Sequence, residues 1–283
     1  MPLTSEIKSH DIMKFQTPLR AIFSGSSQSG KTFLIGKILE KQKQLFQNSF
    51  SFVKYFYPKY LDESPVDYHS LTTTPVSYEA GFPTKEDILN LPEKSLLVID
   101  DMADTALKKD WISQLFKVIS GKRNISVILV TQNYFLQGKH SRDIRNSCNY
   151  VALFRNCADY TINVRAATKF GLKKAYEAAE KDLYSSQVYP YVFIDQTQRA
   201  QLSNFRLYVD ILGPVRIGYD NQGMKGYILT EKEFLAAYTI FKVKEKTVLA
   251  TRRYEDPSNA VHGTSDGDQS EKRKTKKRRT EEV

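Results

Sequence analysis

Eight consecutive residues, Gly25-Ser26-Ser27-Gln28-Ser29-Gly30-Lys31-Thr32, match the spacing GxxxxGK[ST] in full. Two glycines let a backbone curl until successive N–H groups converge on a phosphate, and a helix starting at the end of the curl adds its partial positive charge. In such a cradle Lys31 would neutralise the outer phosphate oxygens and the Thr32 hydroxyl would hold Mg²⁺. The competing reading is a Gly/Ser-rich surface loop. The flanks decide against it: Leu19, Ala21, Ile22 and Phe23 form an apolar run before the loop, and Phe33 to Leu39 has the spacing of an amphipathic helix after it. The stretch is read as a nucleotide phosphate site.

Cleaving or transferring a phosphoryl group needs further groups. Ser95-Leu96-Leu97-Val98-Ile99 is an apolar run that ends in two carboxylates, Asp100 and Asp101. Asp100 is placed to organise the water shell of Mg²⁺, which makes Thr32 and Asp100 the metal candidates. Asp101 is the candidate to polarise an attacking water; the plainer alternative is that the acids cap the following helix. Gln132 leaves another apolar run, Ile125 to Val130, where it either contacts the γ-phosphate or the water, or is simply a polar residue at a strand end. Arg123, Arg142, Arg145 and Arg155 are all candidates for an arginine acting on the transferred group, and the sequence does not choose among them.

The elements that must position these residues follow from periodicity. Pro18 disfavours helix in the lead-in, residues 1–18. The helix after the loop is predicted to run to about Gln47, and Phe50 to Pro58 reads as a β-rich second strand. Residues 59–82 show little periodicity and read as a long loop; Pro83 to Leu89 starts a short helix. The runs at 95–99, 125–130 and 150–154 are continuous rather than alternating, as in parallel strands covered on both faces. Helical spacing covers Leu107 to Ile119 and residues 159–184; Lys139 to Arg145 reads as a charged turn, and Tyr191–Ile194 and Phe205–Val209 as further strands. The fold class is therefore α/β, a mainly parallel central sheet flanked by helices, over 19–214. Residues 215–255 are expected to form a small α+β appendage, with a turn at Asp220-Asn221-Gln222-Gly223 and a capping box at Thr230-Glu231-Lys232-Glu233. Residues 256–283 are a polar, basic tail that cannot bury enough apolar surface to order itself.

Composition bounds the partners. With 41% hydrophobic residues, 17 Tyr and 16 Phe among 283, the chain has the material for a sizeable core. The formal net charge is +10, and residues 271–283, with seven basic and three acidic groups, supply only +4 of it. A basic body suggests an anionic partner, nucleic acid first. Lys272 to Arg279 reads as a nuclear address or a nucleic-acid patch, or as a merely solubilising tail. Cys148 and Cys157 form no zinc-ligand spacing with the four histidines, the N-terminus lacks a secretory apolar core, and no run approaches the ~20 apolar residues of a membrane span. A soluble intracellular protein is expected, with no membrane partner.

The runs GSSQSGKT, LLVIDD, ISVILVTQNYF, RDIRNSCNYVALFRN and YPYVFID together resemble the poxvirus-type genome-packaging ATPases of the FtsK–HerA superfamily, which also occur in virophages and Maverick/Polinton elements. The resemblance covers roughly residues 12–212. It implies a P-loop ATPase using ATP and Mg²⁺, with Lys31 and Thr32 as phosphate and metal residues, Asp100 the metal-organising acid, Asp101 the water-activating acid and Gln132 the sensor. It implies too a homo-oligomeric ring that grips double-stranded DNA and moves it into a preformed capsid through a capsid or portal-type protein. With the basic tail, the host nucleus or the virion is the expected location. Three departures stand out: Ser26-Ser27-Gln28 where relatives often carry Pro and Gly, Asp101 where the superfamily often has Glu, and a divergent Asn156-Cys157-Ala158-Asp159 block. A DNA helicase or AAA-type remodelling ATPase, a nucleotide kinase and a non-hydrolysing nucleotide switch are the competing functions.

Overall fold

In the computed structural model, residues 14–156, 159–186, 188–197, 205–213 and 215–229 are described. The chain divides into Met1–Ala236 and Ala237–Val283, and the described residues all belong to the first unit. The first thirteen residues of the lead-in, Cys157, the helix expected after Thr230 and the basic tail lie outside the described residues.

Ten strands form one sheet in the order β10-β9-β8-β7-β6-β1-β5-β4-β2-β3. Their ranges are β1 Arg20–Ser24, β2 Phe52–Tyr57, β3 Val76–Ala80, β4 Ser95–Ile99, β5 Ser126–Thr131, β6 Tyr150–Phe154, β7 Tyr191–Asp195, β8 Phe205–Asp210, β9 Val215–Asp220 and β10 Lys225–Leu229. The six strands from β3 to β6 in that order are mutually parallel, and β7 to β10 add an antiparallel wing.

The continuous apolar runs are explained by burial on both faces. Side chains of a strand alternate between faces: Ile22, Leu97, Ile99, Val127, Leu129, Val151 and Leu153 enter one core cluster. Their neighbours Ala21, Phe23, Leu96, Val98, Ile128, Val130 and Ala152 enter the other. The second face is covered by α1 (Lys31–Glu40) through Leu34, Ile35, Ile38 and Leu39. The first is covered by the later helices, with Ile112, Phe116, Ile144, Ala166, Ala175 and Ala179 pointing inward.

The structure corrects several sequence expectations. The helix after the loop ends at Glu40, breaks at Lys41 (φ −104°, ψ 16°) and resumes as α2 (Gln42–Leu45), which stops where Phe46 turns extended and packs against Phe15 and Phe50. The 59–82 loop contains strand β3, which pairs with β2 from Val53↔Val76 to Tyr57↔Ala80; a five-residue edge strand buried on one side leaves little periodic trace. α3 (Lys85–Leu89) starts where expected, on a Thr84–Asp87 capping box. The helix expected over 107–119 begins at α4 (Ala103–Ala106), breaks, and runs as α5 (Asp110–Gln114), a π-helical turn (Leu115–Ile119) and α6 (Ser120–Arg123). Arg20 Nη1 donates to the Phe116 carbonyl at 3.1 Å within that widened turn.

The charged turn is helix α7 (Ser141–Ser147), held by Lys117 Nζ on Asp143 Oδ2 at 2.6 Å and by buried Ile144. Between β6 and β7 come two helices, α8 (Tyr160–Lys169) and α9 (Lys173–Ser186). A helical pair returns the chain to the edge it left, so β7 runs antiparallel to β6 rather than parallel as strand–helix alternation suggests. The part of the expected appendage that is described, β9 and β10, continues the main sheet.

Candidate nucleotide site

β5 lies between β1 and β4, and all three are parallel. The loop after β1, Gln132 after β5 and the acids after β4 therefore emerge side by side on one edge, although they are far apart in sequence. Ligands of open α/β sheets bind beyond the carboxyl ends of such strands.

The loop is tied down at its start by Gly25 N–H donating to the Thr131 carbonyl at 3.1 Å. A Cβ on Gly25 would lie 2.5 Å from Phe154 Cβ and 2.7 Å from Ser29 Oγ, so only glycine fits. Gln28 (φ 59°) and Gly30 (φ 97°) take left-handed conformations that turn the backbone into α1. Ser26, Ser27 and Gln28 are exposed on the crest. Lys31 folds back across it, Nζ donating to the carbonyls of Gly25 at 2.7 Å and Ser26 at 2.6 Å. Burial lowers the Lys31 ammonium from its ordinary value, and the charges of Asp100 and Asp101 pull it back up. Lys31 and the acids thus share one electrostatic site.

Burial raises the Asp100 carboxyl, and the neighbouring Asp101 charge raises it further; a hydrogen bond from Tyr55 and the Lys31 charge act the other way. The Tyr55 hydroxyl donates to Asp100 Oδ2. Asp101 is exposed and takes a left-handed φ of 50°, whereas Asp100 is half-buried. Gln132 Nε2 donates to Asp101 Oδ1 at 3.3 Å. The structure thus brings Lys31, Asp100, Asp101 and Gln132 to one place.

Tyr55 belongs to a group the sequence reading passed over. Its ring lies 5.8 Å from those of both Tyr68 and Tyr78. Tyr68 O–H donates to the Thr32 carbonyl at 3.0 Å, and its own N–H donates to the Tyr78 hydroxyl at 2.6 Å. The cluster ties the acid at the end of β4 to the first turn of α1. Its only sequence signal is the aromatic density of β2 and of the supposed loop.

The donor set fits a phosphate chain with its metal. Ser29 Oγ is buried in the cradle with no hydrogen-bond partner among the described residues. The Thr32 hydroxyl and Asp100 carboxylate are hard oxygen donors suited to Mg²⁺, which takes few protein ligands and leaves the rest to phosphate and water. Among the described residues no group of three or more His, Cys, Asp or Glu side chains offers an all-protein metal cage.

The four arginines separate by position. Arg123 precedes β5, at the edge opposite the loop, and donates to the Leu91 carbonyl at 3.4 Å. Arg142 and Arg145 lie on α7, Arg142 exposed and Arg145 donating to the Leu136 carbonyl at 3.2 Å. Arg155 follows β6 at the loop's own edge and is exposed. Beside Asp101 and Gln132 opens a cleft of about 1110 Å³, walled by Lys59, Phe82, Asp104, Trp111 and Phe135.

No family model matches this chain, and no curated protein matches it. Among solved structures it is similar to the genome packaging NTPase B204 from Sulfolobus turreted icosahedral virus 2 in complex with ATP-gammaS. That match has 15% identity and a TM-score of 0.41, over 62% of this chain and 93% of that one. The N-terminal domain of zonular occludens toxin from Neisseria meningitidis matches at 13% identity and TM-score 0.32, over 49% and 78%. The Legionella pneumophila ATPase DotB matches at 12% and 0.36, over 68% of this chain and 50% of its own. Likeness at this level assigns the chain neither a family nor an activity; what the site can do is carried by its own geometry.

Proposed function

We propose that this chain is a Mg²⁺-dependent ATPase that uses hydrolysis to move double-stranded DNA, packaging a viral or element genome. The observation that carries the ATPase reading is the meeting of the Lys31 loop, Asp100 and the hydrogen-bonded Asp101–Gln132 pair at the ends of three adjacent parallel strands.

The loop amides and Lys31 would hold the β- and γ-phosphates, Lys31 exchanging its carbonyl partners for phosphate oxygens. Thr32 and Asp100 would hold Mg²⁺, which when bound neutralises the charge that develops between the β- and γ-oxygens. Gln132 orients a water and Asp101 accepts its proton as the water oxygen bonds to the γ-phosphorus. The bond from that phosphorus to the β–γ bridging oxygen breaks, releasing ADP and phosphate. Tyr55 keeps Asp100 pointed at the metal position. Arg155, exposed at the same edge, is the arginine best placed to serve a neighbouring copy in a ring.

Duplex DNA, the ring, a capsid or portal-type partner and the nuclear or virion location rest on the sequence resemblance and on charge: residues 1–270 keep +6 of the +10. The test is steady-state phosphate release with and without long duplex DNA at two salt concentrations, beside Lys31→Ala and Asp101→Asn. Stimulation by duplex that weakens with salt and disappears in both variants is expected. Lys31-dependent hydrolysis indifferent to duplex would overturn the DNA motor while leaving the ATPase. The cleft beside Asp101 favours a second reading, phosphoryl transfer to a bound acceptor; turnover that requires a small acceptor and releases no free phosphate would establish it.

A further inference from the structure

We propose that the hollow on the other flank of the loop, with Phe33 and Tyr189 in its wall, takes the purine base of the nucleotide. It would hold the base by stacking, so that adenine and guanine are only weakly distinguished. The inference rests on the loop being a nucleoside-triphosphate site and goes beyond it in naming where the base lies and how it is read.

Strand order sets the direction. The acids and Gln132 follow β4 and β5, on one side of β1, so the terminal phosphate points to that side. The sugar and base must then leave the loop on the opposite side, over β6 and β7. There a hollow of about 330 Å³ opens directly from Gly30, lined by Phe33, Phe154, Val188, Tyr189, Tyr191 and Leu212 among others. That volume is at the lower end for small-molecule pockets and suits a base.

The walls are unusual for surface exposed to water. Phe33 is 51% exposed, Val188 88% and Tyr189 37%. Three large apolar side chains left in solvent around one hollow are costly unless something covers them. The Phe33 and Tyr189 rings lie 5.2 Å apart and are tilted by 48°, so they do not stack face to face on each other. Tyr189 is also fixed to the loop: a Cβ on Gly30 would lie 2.4 Å from Tyr189 Cβ.

Apart from Lys41, the side-chain hydrogen-bonding groups of the lining are the Tyr189 and Tyr191 hydroxyls. The lining contains no Asp, Glu, Asn or Gln side chain among its described residues. Its one cation, Lys41, already donates to the Leu212 carbonyl at 2.9 Å. Pockets that discriminate strongly do so with buried hydrogen-bonding groups, whereas apolar walls discriminate weakly.

The experiment is calorimetric binding to the full chain of ATP, GTP and inorganic tripolyphosphate, each with Mg²⁺. Wild type is compared with Phe33→Ala, Phe33→Leu, Tyr189→Ala, Tyr189→Phe and Lys31→Ala. Wild type is expected to bind ATP and GTP within about tenfold of each other, and both more tightly than tripolyphosphate. Losing one ring should weaken ATP and GTP by about five- to a hundredfold, the range of one base–aromatic stack, with tripolyphosphate unchanged. Phe33→Leu keeps an apolar side chain but loses the ring, and is expected to follow Phe33→Ala. Tyr189→Ala keeps the Cβ but removes the Cγ and Cδ1 that also pack over Gly30, so its tripolyphosphate affinity reports whether the loop survives, and Tyr189→Phe should bind like wild type. Lys31→Ala should lose all three ligands.

Unchanged ATP affinity in the ring-deleted variants would overturn the base site. So would an equal loss of tripolyphosphate, which would make the rings supports of the loop. A hundredfold preference for one purine would overturn reading by stacking. Wild type binding neither nucleotide nor tripolyphosphate would instead overturn the phosphate loop itself.

Discussion

Replacing Tyr55 by phenylalanine tests whether Asp100 is the acid that matters. The substitution removes one oxygen and keeps the ring contacts to Tyr68 and Tyr78 at 5.8 Å. It deletes the hydrogen bond the phenol donates to Asp100 Oδ2. A hydrogen bond to a charged group contributes about 1.5–3 kcal/mol, and each 1.4 kcal/mol is tenfold. If that bond holds Asp100 in its metal-binding form through the transition state, kcat/KM for ATP falls roughly ten- to a hundredfold at pH 7.

The pH dependence has a definite sign. The bond favours the ionised carboxylate, opposing the burial and the Asp101 charge that raise the Asp100 carboxyl. Deleting it raises that carboxyl further, so the acid limb of the rate profile moves to higher pH and activity is partly recovered as pH rises. The assay is phosphate release from pH 5 to 9 across an Mg²⁺ titration, with Tyr68→Phe alongside. The Tyr68 hydroxyl serves the Thr32 carbonyl rather than a carboxylate, so its loss should leave the acid limb in place. Wild-type rates and an unmoved limb in a folded Tyr55→Phe protein would refute the role given to Asp100.

Three further predictions concern stability. Gly25→Ala drives a methyl to 2.5 Å from the Cβ of fully buried Phe154; overpacking of this kind costs about 1–3 kcal/mol and should lower Tm by several degrees while abolishing nucleotide binding. Gly121→Ala, where nothing lies within 4 Å of the added Cβ, should be neutral or slightly stabilising in the same melt. Asp195 is buried at the end of β7 and its carboxyl is pushed up to about 6, against the Thr197 hydrogen bonds and the charges of Arg206 and Arg216. The folded state therefore binds this proton more tightly than the unfolded chain does. The stability the proton supplies is present below about pH 4 and lost as pH rises to about 6, on the order of 1–3 kcal/mol. Asp195→Asn removes that loss, so the fall in Tm between pH 4 and 7 should shrink; an identical slope in the variant would count against the buried carboxyl as its source.

What was legible in the sequence is what is local. The loop is recognisable because glycines at 25 and 30, Lys31 and Thr32 must stand at set spacings to wrap a phosphate, and no distant residue is needed to see it. The buried strands are legible because a strand covered on both faces carries a continuous apolar run, as β4 to β6 do at 96–99, 127–130 and 150–154, with Ser95, Ser126 and Thr131 the buried polar residues at the ends of β4 and β5. The acids after β4 and Gln132 after β5 were visible as polar exits from such runs. Short, one-sided or charged elements were not: β3 and α7 bury too few side chains to leave a period.

Neighbourhood in space was decided only by the tertiary structure. Nothing in the local pattern says that β5 inserts between β1 and β4, yet that insertion brings Gln132 to Asp101 across 31 residues. Nor does it say that Tyr55 meets Asp100 and Tyr68 meets Thr32, or that α8 and α9 return the chain so that Tyr189 lies against Gly30. The reason is physical: periodicity and turn chemistry act over a few residues, whereas strand order and side-chain meeting points follow from how whole faces pack to exclude water.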